Sequence, residues 1–304
     1  MRVLVVYSGN NESSFVDEQI AALKCIGVDI VTYRILKKGI SGYLSSLLDF
    51  KSKIKAFSPQ LIHAHYGLSG LFANLQRKVP VITTYHGCDI NKFALRFLSV
   101  FSILLSASNI FVSEKQSKKV LFFAKKKFYI LPCGINVSDF YPIDKSLARA
   151  QFKFDLLKKY ILFSSSFSIP VKNVQLAKQS IKLLDIDAEL IELKGYTRQQ
   201  VNLLMNACDV GLLTSLREGS PMFIKELLAT NTPIVSTDVG DVSERINGVE
   251  SCFIAENDPD DLAIKLKIAM YAAKTNGRIK ITEFDNDKIA KVLLNIYSNT
   301  ITNL

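Results

Sequence analysis

The chain has 304 residues, 48% of them hydrophobic and 22% charged, with a formal net charge of +10. That length suggests two domains of about 100–200 residues each. The near-average composition excludes intrinsic disorder, collagen-like repeats and a disulfide scaffold. The charge is unevenly spread: residues 1–143 hold 18 Lys and Arg against 8 Asp and Glu, whereas residues 144–304 hold 20 of each. A basic first half suits an anionic partner such as phosphate-bearing lipid, a membrane surface or nucleic acid; it also serves solubility. It lacks an aromatic-interleaved single-strand motif or a helix-turn-helix, so nucleic acid is not the expected partner. The five cysteines (Cys25, Cys88, Cys133, Cys208 and Cys252) are odd in number and widely spaced. This argues for a reducing, cytoplasmic compartment and against a zinc ribbon.

In chain order, the first half shows strand patterns at Arg2–Tyr7, Asp29–Tyr33, Leu61–His65, Val79–Thr84, Asn109–Ser113 and Phe128–Leu131. Their nearly continuous Val/Ile character fits strands buried on both faces of a parallel sheet. The opening apolar run is too short for a signal-peptide core. Ser14–Ile26 reads as a helix, with Ser14 and Asp17 as a capping-box-like start and Gly27 as the stop. Phe93 to Ser113 is apolar but interrupted by Arg96, Ser102, Ser106, Ser108 and Asn109. It falls short of about 18 uninterrupted apolar residues, and predicts a buried helix ending near Ala107 rather than a membrane span. The second half predicts strands at Tyr160–Ser164, Ala188–Leu193, Val210–Thr214, Pro233–Thr237 and Ser251–Ile254. Helices are predicted at Asn173–Leu184, Thr197–Ala207, Pro221–Thr230, Pro259–Ala273 and Asn286–Ser298. Alternating strand and helix implies doubly wound sheets.

The sharpest local feature is Glu218-Gly-Ser-Pro-Met-Phe-Ile-Lys-Glu226, which follows a strand and opens a helix. Ser220 is the expected N-cap and Pro221 the first helical residue. The amides of Met222 and Phe223 then lack intrahelical partners and attract phosphate or sugar oxygens. Glu218 and Glu226 suit sugar hydroxyls, because each carboxylate accepts several hydrogen bonds. A cap followed by an exposed glutamate is the plain alternative.

The Glu-x7-Glu segment, with Thr232-Pro-Ile-Val-Ser and Gly240-Asp-Val-Ser-Glu244 after it, resembles the donor-site signature of family 4 retaining glycosyltransferases of the GT-B fold, bacterial surface-polysaccharide type. Four other stretches resemble that family in order: Leu61-Ile-His-Ala-His-Tyr-Gly67, Thr84-Tyr-His-Gly-Cys-Asp89, Leu131-Pro-Cys-Gly-Ile-Asn136 and Pro170-Val-Lys-Asn173. The resemblance implies that Glu226 binds the nucleotide ribose, with Gly219, Ser220, Met222 and Phe223 beside the donor. It implies that Glu218 and His86 contact the transferred sugar and that Lys172 holds the donor diphosphate. An arginine often precedes this lysine in the family. Here the region reads Ser164-Ser-Ser-Phe-Ser168, so diphosphate binding is expected to rest on hydroxyls such as Ser166, loop amides and Lys172.

His63 and His65 share a strand face, but no carboxylate or thiol has ligand spacing to them, and sheet-end hydrogen bonding is the favoured reading. Asp185-Ile-Asp187 is a formal D-x-D at a helix-to-strand turn and reads as solvated turn chemistry. No metal or other cofactor is therefore expected. Gly9, Asn10 and Asp89 are acceptor-side candidates, Gly9 because it allows close backbone approach. Lys118, Lys119, Lys125, Lys126 and Lys127 flank Val120-Leu-Phe-Phe-Ala124, including Leu121, Phe122 and Phe123. Two readings stand for this stretch, a membrane-surface patch and a core-facing helix with a solvated face.

The sequence thus predicts an α/β protein of two Rossmann-like, doubly wound domains facing a central cleft, 1–143 on the acceptor side and 144–304 for the nucleotide sugar. The last helix is expected to pack back on the first domain. The function implied is a retaining hexosyltransferase using a nucleotide-sugar donor and a glycan or lipid-linked acceptor, cytoplasmic or peripheral on the inner membrane face. Rival readings are a nucleotide-sugar epimerase of the same fold and a catalytically silent nucleotide-sugar-binding subunit.

Overall fold

The computed structural model describes residues 1–9, 14–36, 39–120, 122 and 128–302. The chain divides into two compact units, the first joining Met1–Gly134 to the residues from Asn286 onward, the second being Ile135–Asp285.

The first unit contains β1 (Arg2–Ser8), β2 (Asp29–Ile35), β3 (Leu61–His65), β4 (Val81–Tyr85), β5 (Ser108–Phe111) and β6 (Phe128–Ile130). They form one sheet in the order β2-β1-β3-β4-β5-β6, all pairs parallel. Every residue of β3 and β4 is buried. A parallel sheet covered by helices on both faces has no solvated side, so even the polar residues of these strands, His63, His65, Thr83 and Thr84, are buried. The helix Asn286–Thr302 buries Ile289, Leu293, Ile296 and Tyr297. It is fastened by Thr300 to Ser108 at 2.9 Å and by Asn286 to Glu18 at 3.0 Å.

The second unit contains β7 (Lys159–Phe163), β8 (Ala188–Glu192), β9 (Val210–Leu213), β10 (Ile234–Thr237) and β11 (Cys252–Ala255). Their order is β11-β10-β9-β7-β8, again parallel throughout. Leu162, Leu213 and Ile234 pack on one face with Ile224, Leu227 and Leu228. Ile161, Phe163, Leu212 and Val235 pack on the other with Leu262 and Leu266. Period-2 alternation thus divides apolar residues between two cores. Both sheets share one topology, with the strand order reversing between β1 and β3 and between β7 and β9. Doubly wound sheets bind ligands outside the strand C-termini at that point.

Each expected strand has a counterpart within two residues at either end. Two expectations are corrected. The division falls at 134/135 rather than 143/144, because residues 135–143 are held by the second unit. Arg278 donates to the carbonyls of Val137 and Phe140, the Asn202 and Asn206 side chains accept from the amides of Tyr141 and Ile143, and Phe140 is buried in that core. The capping-box-like start falls on the Ser14 side chain, outside those described; the Asp17 carboxylate accepts from the Tyr7 hydroxyl at 3.0 Å. The helix Phe93–Leu105 forms as expected but is not a buried helix: Phe93 is 83% and Phe97 62% exposed.

Candidate active site

In the second unit, the loops after β7 and β9 meet at the topological reversal. A single turn of 3-10 helix, Pro170–Lys172, leads through Asn173 in the left-handed region (φ 52°) into the helix Val174–Lys182. The Thr214 hydroxyl, just past β9, donates to the carbonyls of Lys172 and Asn173 at 2.9 and 3.0 Å. The Leu216 amide donates to Val171 O at 2.9 Å. These bonds stitch the two loops and bring Lys172 Nζ to 2.7 Å from Glu218 Oε1. Both side chains are largely buried, and in that setting the ion pair is less screened than a surface pair.

The Glu218-Gly-Ser220 loop is clamped from β10. Gly240 has φ +57°, and a Cβ there would lie 2.5 Å from Gly219 O. A side chain at Gly240 would therefore displace the glutamate loop. The Ser220 hydroxyl donates to Asp241 Oδ2 at 2.8 Å. Asp241 is fully buried and paired with Arg245 at 3.0 Å. This corrects the expected capping: Ser220 makes no cap bond, Pro221 occupies the N-cap position, and Met222 is the first helical residue. The Asp241 carboxylate, a stronger acceptor than any neutral group in reach, takes the hydroxyl. The helix Met222–Ala229 still opens with the Met222 and Phe223 amides. Glu226 lies four residues after Met222, half-buried on the same helix face.

Ser166 is oriented by a residue that sequence reasoning missed. Its hydroxyl donates to Glu192 Oε1 at 2.7 Å, and the Phe167 amide donates to the same oxygen. The Ser166 hydroxyl and the Phe167 amide hold the Glu192 carboxyl below its usual range. Glu192 ends β8, where a polar residue after an apolar run signals only a strand end. Asp241 was equally illegible, since its pairing depends on Ser220 and Arg245 converging in space.

In the first unit, β3 and β4 deliver three histidines to the sheet edge. His63 uses both ring nitrogens, Nδ1 with Tyr297 Oη at 2.6 Å and Nε2 with Thr84 Oγ1 at 2.8 Å. His65 Nδ1 lies 2.9 Å from His86 Nε2, and His86 Nδ1 lies 3.6 Å from Cys133 Sγ. Burial pushes His63 well below its usual value and His65 down to about 3, so both are neutral at physiological pH. His65 Nε2 is buried without a hydrogen-bond partner. A bare lone pair is more tolerable there than an orphaned N–H. His65 therefore donates from Nδ1 to His86 Nε2, which leaves the His86 proton on Nδ1, facing Cys133. His86 also packs against the rings of Phe15 and Tyr66. Tyr66 has φ 72°, a strained backbone for a bulky residue, and strain of this kind concentrates at functional edges.

Asp89 is placed inside its loop rather than on a ligand-facing surface. It is 3% exposed, and its carboxylate accepts from the amides of Gly67, His86 and Gly87. Burial nonetheless pushes it up to about 6. Gly9 follows β1 with φ 145°, beside the β1/β3 reversal; Asn10 lies outside the described residues. So do Leu121, Phe123 and Lys125–Lys127 of the basic apolar stretch. Lys118 of that stretch pairs with Glu114, and Lys119 donates to Asn91.

Asp185 is engaged by Lys267 at 2.8 Å and Asp187 by Lys158 at 3.8 Å, both on the surface. Among the described residues, no three His, Cys, Asp or Glu side chains are grouped to hold a metal ion.

Comparison with known proteins settles the family. Residues 2–139 match the model described as Glycosyltransferase Family 4, and residues 173–270 match the one described as Glycosyl transferases group 1. This chain belongs to that glycosyltransferase family. It is 26% identical over 269 residues to the putative teichuronic acid biosynthesis glycosyltransferase TuaC of Bacillus subtilis, a match covering 77% of this chain and 63% of TuaC. It is 23% identical over 305 residues to the UDP-Gal:alpha-D-GlcNAc-diphosphoundecaprenol alpha-1,3-galactosyltransferase of Escherichia coli, covering 86% of this chain and 75% of that protein. In structure it resembles sucrose-phosphate synthase from Thermosynechococcus elongatus (TM-score 0.85, 13% identity, all of both chains). It also resembles Anabaena HepE in complex with UDP and glucose (TM-score 0.77, 14% identity, 98% of this chain and all of that one). The shared fold is GT-B.

The buried histidines of this family member give its first unit a defined pH response. A histidine pushed from 6.5 to about 3 on folding binds a proton only when unfolded between those values, so its contribution to stability grows as pH rises through that window. Asp89 has the opposite sign: raised from 3.8 to about 6, it contributes stability that is lost as pH climbs through about 6. The His65→Gln variant isolates one histidine. Wild-type stability relative to this variant should rise by about 1.4 kcal/mol per pH unit between roughly pH 4.5 and 6. Denaturant unfolding of both proteins at several pH values measures it, and parallel pH profiles would overturn the assignment.

Proposed function

We propose that this chain transfers a hexose-type sugar, with retention, from a nucleotide diphosphate donor to a glycan or lipid-linked acceptor in cell-surface polysaccharide synthesis. The observation that carries this reading is the Lys172–Glu218 pair at the β7/β9 reversal, beside the first amides of the Met222–Ala229 helix. In this reading Lys172 and the helix amides stabilise the charge that develops on the leaving diphosphate. Glu218, already hydrogen-bonded to Lys172, aligns the ammonium and accepts from sugar hydroxyls. Glu226 takes the ribose hydroxyls. In the first unit His86, its tautomer set by His65, is the candidate for a sugar contact. The Escherichia coli relative is named for a UDP-linked donor and a diphosphoundecaprenol-linked acceptor, and HepE was solved with UDP; both support a nucleotide-sugar donor here. Donor alone should undergo at most slow hydrolysis. Epimerisation of the donor sugar, or no reaction with any acceptor, would favour the rival readings.

Glu226→Ala should weaken nucleoside diphosphate binding by about 1.5–3 kcal/mol if its ribose bonds are charge-assisted. Titration calorimetry on the folded variant tests this, and unchanged affinity removes Glu226 from the site. We further propose a reaction independent of divalent cation, with Lys172 providing the positive charge and the D-x-D carboxylates held in surface pairs. Activity should persist in excess chelator; loss restored by magnesium or manganese would reverse this reading.

The acceptor side is proposed to meet an anionic lipid surface. Among the described residues no helix is long and apolar enough to cross a membrane, while residues 1–143 hold the whole net charge. Attraction of about 1 kcal/mol for each Lys or Arg near such a surface is screened within a Debye length. Sedimentation with anionic vesicles should therefore pull down the protein at low salt and less of it as salt rises. Absence of binding at low salt would point to a soluble acceptor.

A further inference from the structure

The helix Phe93–Leu105 is amphipathic in the inverted sense. Its inward positions are Ser99, Ser102 and Ile103. Phe93, Phe97, Phe101 and Leu104 face outward, 83, 62, 45 and 46% exposed. The inward side is small because the neighbouring helix, Gly67–Asn74, comes very close. A Cβ on Gly67 would lie 2.0 Å from Ser99 Oγ, and one on Gly70 would lie 2.3 Å from Ser102 Oγ. The inward register is thus set by backbone approach, and rotating the helix to bury its phenylalanines would drive them into that contact. The outward stripe adjoins an open apolar cavity of about 390 Å³ walled by Tyr43, Leu44, Leu47, Leu71, Leu75 and Leu98, of which Leu98 belongs to the stripe's own helix. Contiguous apolar surface of this kind on a soluble fold marks an interaction site.

Charge identifies the occupant. The segments framing this face, residues 39–57, 67–78, 88–105 and 114–120, carry ten Lys and Arg against three Asp and Glu. One of those three, Asp89, is buried. Lys92 and Arg96 stand at the head of the stripe, and Arg96 is near enough to Lys119 to oppose its charge. Two copies of this chain meeting face to face would set the same positive frame against itself. An anionic lipid surface complements both features, with apolar side chains entering the acyl boundary and cations reaching the headgroups.

We infer that the Phe93–Phe97–Phe101–Leu104 stripe, with the adjoining leucine-lined cavity, is the surface through which this chain inserts into an anionic membrane. This rests on the membrane reading above and adds to it a defined insertion face. The first step of attachment is electrostatic and salt-sensitive; the second buries the stripe and resists salt.

The chain contains no tryptophan, so Phe97→Trp supplies a single fluorescent reporter on an exposed position. With anionic phosphatidylglycerol vesicles its emission should move to shorter wavelength and be quenched by lipids brominated on the acyl chains. The double variant Phe97→Ser/Phe101→Ser should partition at least about tenfold more weakly, with nucleoside diphosphate binding and thermal unfolding unchanged. Wild-type binding to anionic vesicles, with an unshifted reporter emission in Phe97→Trp and a double variant that binds as well, would overturn the insertion face and leave the membrane reading standing. No vesicle binding by wild type would overturn both. Concentration-dependent self-association that shields the reporter without lipid would overturn the insertion face too, and assign the stripe to a second copy.

Discussion

A parallel strand buried on both faces offers a polar side chain along its length no water, so each one there needs a partner inside the core. Polar chemistry is driven to the strand ends. In both units the residues of interest lie there: Gly9 after β1, His65 and His86 at the ends of β3 and β4, Lys172 after β7, Glu218 after β9. Polar residues held within strands, such as Thr83 and Thr84 in β4 and Asn109 in β5, are satisfied internally, and His63 shows how. It sits within β3, and its two ring nitrogens are satisfied by Thr84 from the next strand and Tyr297 from the last helix. Burial holds it neutral.

The same constraint explains why the loops after β7 and β9 need so much support. Loops beyond strand ends have no ladder to fix them, so side chains and carbonyls take over. Thr214 ties the lysine loop to the glutamate loop, while Gly240 and Asp241 hold the glutamate loop from the opposite side. The Lys172–Glu218 pair is therefore held in place by the protein's own contacts. Removing either partner would leave a largely buried charge uncompensated, which is costlier than losing an exposed pair.

The helix Phe93–Leu105 shows packing overruling hydrophobic patterning. Ordinary amphipathicity would bury the phenylalanines, yet close approach of Gly67 and Gly70 admits only serines at the contact. The resulting apolar exterior is stable because backbone proximity sets the helix rotation. A basic frame around it gives the surface a chemical identity that hydrophobicity alone lacks.

Sequence by itself determined the eleven parallel strands, since Val/Ile runs between turn residues have few other physical solutions. It also placed Lys172, Glu218 and Glu226 after the correct strands, through motif spacing. Strand order, and hence which loops become neighbours, is a nonlocal property, and so was decided only by tertiary structure. So were the choice of Asp241 over a helix amide as the partner of Ser220, the attachment of residues 135–143 through Arg278, and the retreat of Asp89 into its loop. The Asp241 and Arg278 contacts join groups tens to more than a hundred residues apart, and the Asp89 loop adds the Gly67 amide, 22 residues away, to two local ones. The outward turn of the Phe93–Leu105 stripe belongs with these, because an apolar helix pattern states that a face must be covered but carries no information about what covers it.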